Sequence, residues 1–145
     1  MMPHATIKHE RDVTDEFGRN KLHYAANNGS ALLVLKLLDE GIDINTQDNN
    51  GWTALHFAAQ NSHFAVIDLL LDHNANPNLH DKQGNGPLWV AAMNAKGKHH
   101  AVVALLNAKA NPHHENHHGR SPMYIAKNLK NGLEEVFAPF VNIEL

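Results

Sequence analysis

Gly51-Trp52-Thr53-Ala54-Leu55-His56-Phe57-Ala58-Ala59 decides the fold, because the chain repeats it. Gly18 to Ala26 reads Gly-Arg-Asn-Lys-Leu-His-Tyr-Ala-Ala, and Gly84 to Ala92 reads Gly-Asn-Gly-Pro-Leu-Trp-Val-Ala-Ala. A worn copy, Gly119-Arg120-Ser121-Pro122-Met123-Tyr124-Ile125-Ala126, follows. The four glycines step by 33, 33 and 35 residues. A fixed period in this range marks a stack of repeats in which each unit touches mainly its sequence neighbours. Such a stack offers a binding surface more readily than a catalytic pocket.

Each copy carries two short apolar-periodic runs. Thr53 stands where a side chain can accept from a free backbone N–H at a helix start, and Asn20 and Ser121 hold the same place. Pro87, after Gly86, suits a first helical turn. The second run of repeat two sets Val66, Ile67, Leu70 and Leu71 on one helical face. Leu33, Val34, Leu37 and Leu38 match them in repeat one, and Val102, Leu105 and Leu106 in repeat three. Gly41, Asn74 and Lys109 then take the place of a left-handed cap. The connectors run to Asp48, Asp81 and Asn116, each three residues before a repeat glycine, and read as an extended arm, a tight turn and a returning arm. Helices are expected near residues 20–28, 30–39, 53–61, 63–72, 87–94, 99–107 and 121–129, with an irregular one after Gly132.

These residues closely resemble the ankyrin repeat, whose pattern is Asp-x-x-Gly-x-Thr-Pro-Leu-His-x-Ala-Ala, an apolar helix, Leu-Leu-x-x-Gly-Ala and an Asn arm. The resemblance runs from about Asp15 to Ala126. It implies an all-α solenoid of stacked helix pairs with projecting hairpin fingers. The whole chain, 1–145, reads as a single domain, with repeats near 15–48, 49–81, 82–116 and 117–145 and residues 1–14 as a cap or frayed end. Trp89 and Tyr124 depart from the family pattern by standing where His belongs. Repeat three carries two extra residues within 94–100, so its inter-helix loop should bulge. Repeat four is degenerate, with Pro139 in its last apolar run, as suits a terminal cap.

Composition narrows the function. Aromatics are only 6% of the 145 residues, so the core must come from Ala, Leu, Val and Ile in closely packed thin helices. A net charge of −3 and the lack of a basic stripe argue against nucleic acid. No apolar run reaches the ~18 residues of a membrane helix, and the start has no secretory signal. With no cysteine, disulfides, thiol nucleophiles and Cys-ligated zinc are out, and the cytoplasm is the expected setting. No catalytic motif, Gly-rich phosphate loop or cofactor signature is present, so no enzyme and no cofactor are expected.

Thirteen histidines remain. His23 and His56 fall on the Leu-His position, where the resemblance implies rings that tie neighbouring loops together. His113, His114, His117 and His118 flank a predicted finger tip and are the candidate metal ligands, set against the plainer reading of a polar, solvent-exposed finger.

The resemblance also implies which positions meet partners: finger tips, the residue after the repeat glycine, the residue after Leu-His, and the pair after Ala-Ala. The candidate protein-binding residues are Phe17, Arg19, Tyr24, Asn49, Asn50, Trp52, Phe57, Lys82, Asn85, Met93, His117 and Arg120. Phe17, Tyr24, Trp52 and Phe57 gather at one end, with Trp52 expected to project without a core to enter. Tyr24 and Phe57 have a second reading, as a pair packed between repeats. Arg19, Lys82 and Arg120 point to a partner that is neutral or acidic at its contact. The expected molecule is a monomeric, non-enzymatic protein-binding module, by preference a stoichiometric inhibitor or protective partner such as a toxin-immunity protein. A general adaptor and a His-rich metal-binding protein are the alternatives.

Overall fold

A computed structural model describes residues 9–141. Its eight α-helices are α1 (Lys21–Asn28), α2 (Ala31–Asp39), α3 (Ala54–Gln60), α4 (Phe64–Asp72), α5 (Pro87–Met93), α6 (His100–Asn107), α7 (Pro122–Asn128) and α8 (Leu133–Phe137). No strand occurs among the described residues. Helix limits fall within a residue or two of those read from the periodicity.

The helices form two rows. α1, α3, α5 and α7 pack successively in one row, and α2, α4, α6 and α8 in the other. The repeated residues explain the stacking. Leu22, Leu55 and Leu88 are buried in equivalent positions, as are Ala26, Ala59 and Ala92, whose small side chains let the inner helices approach closely. In the outer row Val34, Ile67 and Val102 share one register and Leu37, Leu70 and Leu105 another, all buried. Burial of each Leu, Ile or Val contributes about 1.5–3 kcal/mol, so the stack rests on many moderate terms.

The helix starts are built as the residues dictate. Asn20, Thr53 and Ser121 each accept from the backbone N–H three residues on. Gly86 has no side chain to do this, and Pro87 fills the first helical position instead. The left-handed positions also stand as read: Gly41, Asn74 and Lys109 have φ of 86°, 65° and 71°. The extra residues of repeat three form a loop in which Lys96 and Gly97 both take positive φ. The 3₁₀ turn Glu10–Asp12 lies beside α1 through a 3.2 Å ion pair from Glu10 to Lys21. At the other end α8 buries Leu133 and Phe137 completely, and a 3₁₀ turn containing Pro139 (Ala138–Phe140) ends the described chain.

Candidate functional site

Before α1 and between the successive helix pairs the chain makes four fingers with one construction. The Oδ1 of Asp48 accepts from the backbone N–H of Asn50 (2.9 Å) and Trp52 (2.8 Å). Asp15, Asp81 and Asn116 do the same for the residues two and four positions on. A short polar side chain can thereby replace a backbone partner and hold the turn. Gly51 shows why a glycine closes each finger. Its φ is +86°, and an added Cβ would lie 2.7 Å from the Cα of Asp81 in the next finger.

The fingers are then tied side by side. The tip N–H of each donates to the finger before it, from Asn49 to Phe17 O, Lys82 to Asn50 O and His117 to Gln83 O, each at 2.9 Å. A side-chain rung adds to this. Arg19 Nε donates to Asp48 Oδ2 at 3.0 Å, and Trp52 Nε1 to Asp81 Oδ2 at 2.9 Å. In the third rung Asn116 Nδ2 donates to Asn85 Oδ1 at 2.9 Å.

His23 and His56 supply a deeper tie. Each Nδ1 accepts the N–H of the residue capping its own helix, and each Nε2 reaches the carbonyl after the next repeat glycine. For His23 that carbonyl is Trp52 O (2.9 Å), and for His56 it is Asn85 O (3.0 Å). With Nδ1 accepting, the proton sits on Nε2 and both rings are neutral. Burial lowers both pKa values, that of His56 to about 4.

The rungs floor a concave groove of about 570 Å³ across the first three fingers. Asn50, Lys82 and Gln83 are exposed on its rim, and Trp52, Trp89 and Val90 are among the residues that line it. Arg19 lies between two rings, its guanidinium carbon 5.1 Å from the centroids of both Phe17 and Phe57. Trp52 stacks on His56 and meets Phe57 edge-on, with centroids 5.4 and 4.9 Å away. Phe17, Arg19, Trp52 and Phe57 therefore do come together.

Several residues stand differently from the sequence reading. Trp52 does not project freely; it is half-buried on His56, with its N–H committed to Asp81. Phe57 and Asn85 are buried and support the groove from beneath. Phe57 packs edge-on against His23, 5.8 Å away, while exposed Tyr24 gives its hydroxyl hydrogen to Asp15. That bond is the largest cause of a lowered Asp15 pKa and a raised Tyr24 pKa. Arg19 is no free cation, because the hydrogen bond to Asp48 raises its pKa and anchors it. Asn49 reaches back to Glu16 O, exposed Met93 stands outside the groove lining, and His117 and Arg120 lie on the fourth finger.

The four candidate metal ligands do not converge. His114 stacks on His80 at 3.6 Å, and among the described residues no three His, Asp or Glu side chains are grouped to hold a metal ion.

A protein-family model described as ankyrin repeats (3 copies) matches residues 4–81, more than half of the chain. The chain belongs to the ankyrin-repeat family. No curated protein matches it. Ankyrin repeats are protein–protein interaction modules, and the finger-and-groove surface is where this one differs from copy to copy. Among the described residues no helix is long and apolar enough to cross a membrane. The sequence reading missed the rung. Its signal was a spacing of 29 residues between the residue after a repeat glycine and the next finger's aspartate, Arg19 to Asp48 and Trp52 to Asp81. It also missed Trp89 as a groove residue.

Proposed function

We propose that the protein binds another protein in the groove framed by its first three fingers and catalyses no reaction. Within that class it acts as a stoichiometric inhibitor or protective partner, of the kind an immunity protein is to a toxin. It works as a monomer in the cytoplasm, without a cofactor. The observation that supports this reading is that the groove's chemistry is already spent on its own architecture. Asp48 is held by Arg19, Asp81 by Trp52, and both nitrogens of His23 and His56 are engaged. Among the described residues that line the groove no carboxylate–imidazole pair is left to move a proton on a substrate, and the exposed Asp68–His100 pair, 3.0 Å apart, lies on α4 and α6 outside it.

What remains is a stiff, stitched face with an exposed polar rim. A face that is already ordered loses little conformational entropy on binding, which suits a tight one-to-one complex. A standard interface of about 800 Å² on this partner would span several fingers. Lys82 is the exposed cation of the rim, so the partner is neutral or acidic there.

The test is affinity and stoichiometry with the protein recovered from the native cell on immobilised chain. Lys82→Glu should weaken binding at least tenfold with an unchanged circular dichroism spectrum, and the complex should be one-to-one and block the partner's own activity. Wild-type affinity in Lys82→Glu would move the interface elsewhere. A partner that stays fully active in the complex would make the protein an adaptor.

A further inference from the structure

The first two fingers each hand three groups to their successor: the carbonyl before the repeat glycine, the side chain after it, and the side chain that follows Leu in the helix; the third hands over the first two, through Gln83 O and Asn85. In the first finger these are Phe17 O, Arg19 and His23, which meet Asn49 N, Asp48 and Trp52 O. The fourth finger carries the same set as His118 O, Arg120 and Tyr124. Among the described residues none of these three has a hydrogen-bond or ion-pair partner on a following finger.

The space for such a partner is also open. A Cβ on Gly51 would meet Asp81 of the next finger at 2.7 Å, and one on Gly84 would meet Asn116 at 3.0 Å, whereas one on Gly119 meets nothing within 4 Å. Arg120 and Tyr124 are exposed, with the guanidinium carbon 5.4 Å from the ring centroid. Arg120 is therefore poised over an aromatic face as Arg19 is over Phe57, but without the carboxylate that Arg19 holds.

We propose that this edge is a docking site for an Asp-led tight turn of a partner protein. The turn's carboxylate takes Arg120, its next backbone N–H donates to His118 O, and one of its carbonyls accepts from the Tyr124 hydroxyl. The template is the protein's own second finger, which offers the first finger this set through Asp48, Asn49 and Trp52. A charge-assisted bond to Arg120 supplies much of the affinity. One turn covers far less than a standard interface, so the edge extends a larger contact or binds weakly alone. A second copy of this chain could offer Asp15 in the same role, but the Tyr24 hydroxyl already occupies the Asp15 oxygen that would face Arg120. The edge is separate from the groove, and its test involves no groove residue of the protein.

The probe is a cyclised peptide with the sequence of residues 47–53, followed by amide and arginine side-chain shifts on titration into the full chain. Millimolar peptide should shift Gly119, Arg120 Nε–H and Tyr124. Asp48→Asn in the peptide, or Arg120→Gln in the protein, should weaken the effect at least tenfold, and Arg120→Lys should retain part of it. Arg120 is exposed, so the folded spectrum serves as its own control. No shifts, shifts confined to the groove, or undiminished binding by Arg120→Gln would overturn the proposal. Concentration-dependent self-association in sedimentation, abolished by Asp15→Asn, would give the edge to a second copy instead and overturn the assigned occupant.

Discussion

The junction between the second and third repeats and that between the third and fourth occupy equivalent positions with different residues. At the first, His56 is fully buried, caps its own helix through Nδ1 and reaches Asn85 O through Nε2, while Trp52 and Asp81 form the rung. At the second, Trp89 stands in the histidine position and its Nε1–H is buried without a partner among the described residues. The rung there is a neutral amide pair, Asn116 to Asn85. An indole has one donor and no acceptor, so it cannot both cap its own helix and bridge to the next repeat. The well-tied junctions are the ones beneath the groove.

The largest expected effect is on the well-tied side. His56→Ala leaves the Thr53 N–H and the Asn85 carbonyl unpaired and opens a void, and should cost about 3 kcal/mol or more in urea unfolding. Acid should act on the same tie. The folded His56 pKa lies near 4, below its ordinary value of 6.5, so the unfolded chain takes up the proton first. The ring's contribution is complete above pH ~6.5 and is lost as pH falls toward 4, by up to about 3 kcal/mol. His23, also lowered by burial, acts in the same direction. Urea curves at pH 7 and pH 4 should show a drop that His56→Gln reduces. An equal drop in the variant would place the acid sensitivity elsewhere.

Trp89→His should narrow the difference. Restoring a ring with both an acceptor and a donor should raise the stability of the C-terminal repeats by about 1 kcal/mol. No gain would mean that the indole's packing outweighs its orphaned N–H.

Most of this comparison was legible in the residues, and the remainder fails for definite reasons. Period, caps and left-handed positions are set by local chemistry, so Thr53, Asn74 and the departure at Trp89 could be read directly. Trp52 and Phe57 could not be placed that way. Whether an aromatic beside a turn is free or covered depends on a finger 29 residues away, where Asp81 captures the indole. The two readings of the four-histidine finger, metal ligands or a polar tip, could not be separated in sequence because neighbours there diverge in space, His114 stacking on His80 of the previous connector. The family match ends at Asp81, before the region where the extra residues and Trp89 weaken the pattern.

A smaller effect sharpens the comparison further. Lys109 occupies the left-handed place that glycine holds at Gly41, with φ of 71°. Lys109→Gly should stabilise the weaker half by about 0.5–1 kcal/mol, since a side chain there strains the backbone. Thermal melts of the single variant and of its combination with Trp89→His should show additive gains if the two act independently.

Site-resolved native-state hydrogen exchange tests the central claim most directly, that the first three repeats form one stiff face and the fourth is held more loosely. Amides of α1, α3 and α5 should exchange with a common, high opening free energy, and those of α7 and α8 with a lower one. Equal protection along the whole stack, or earlier opening of α1 and α3, would contradict it.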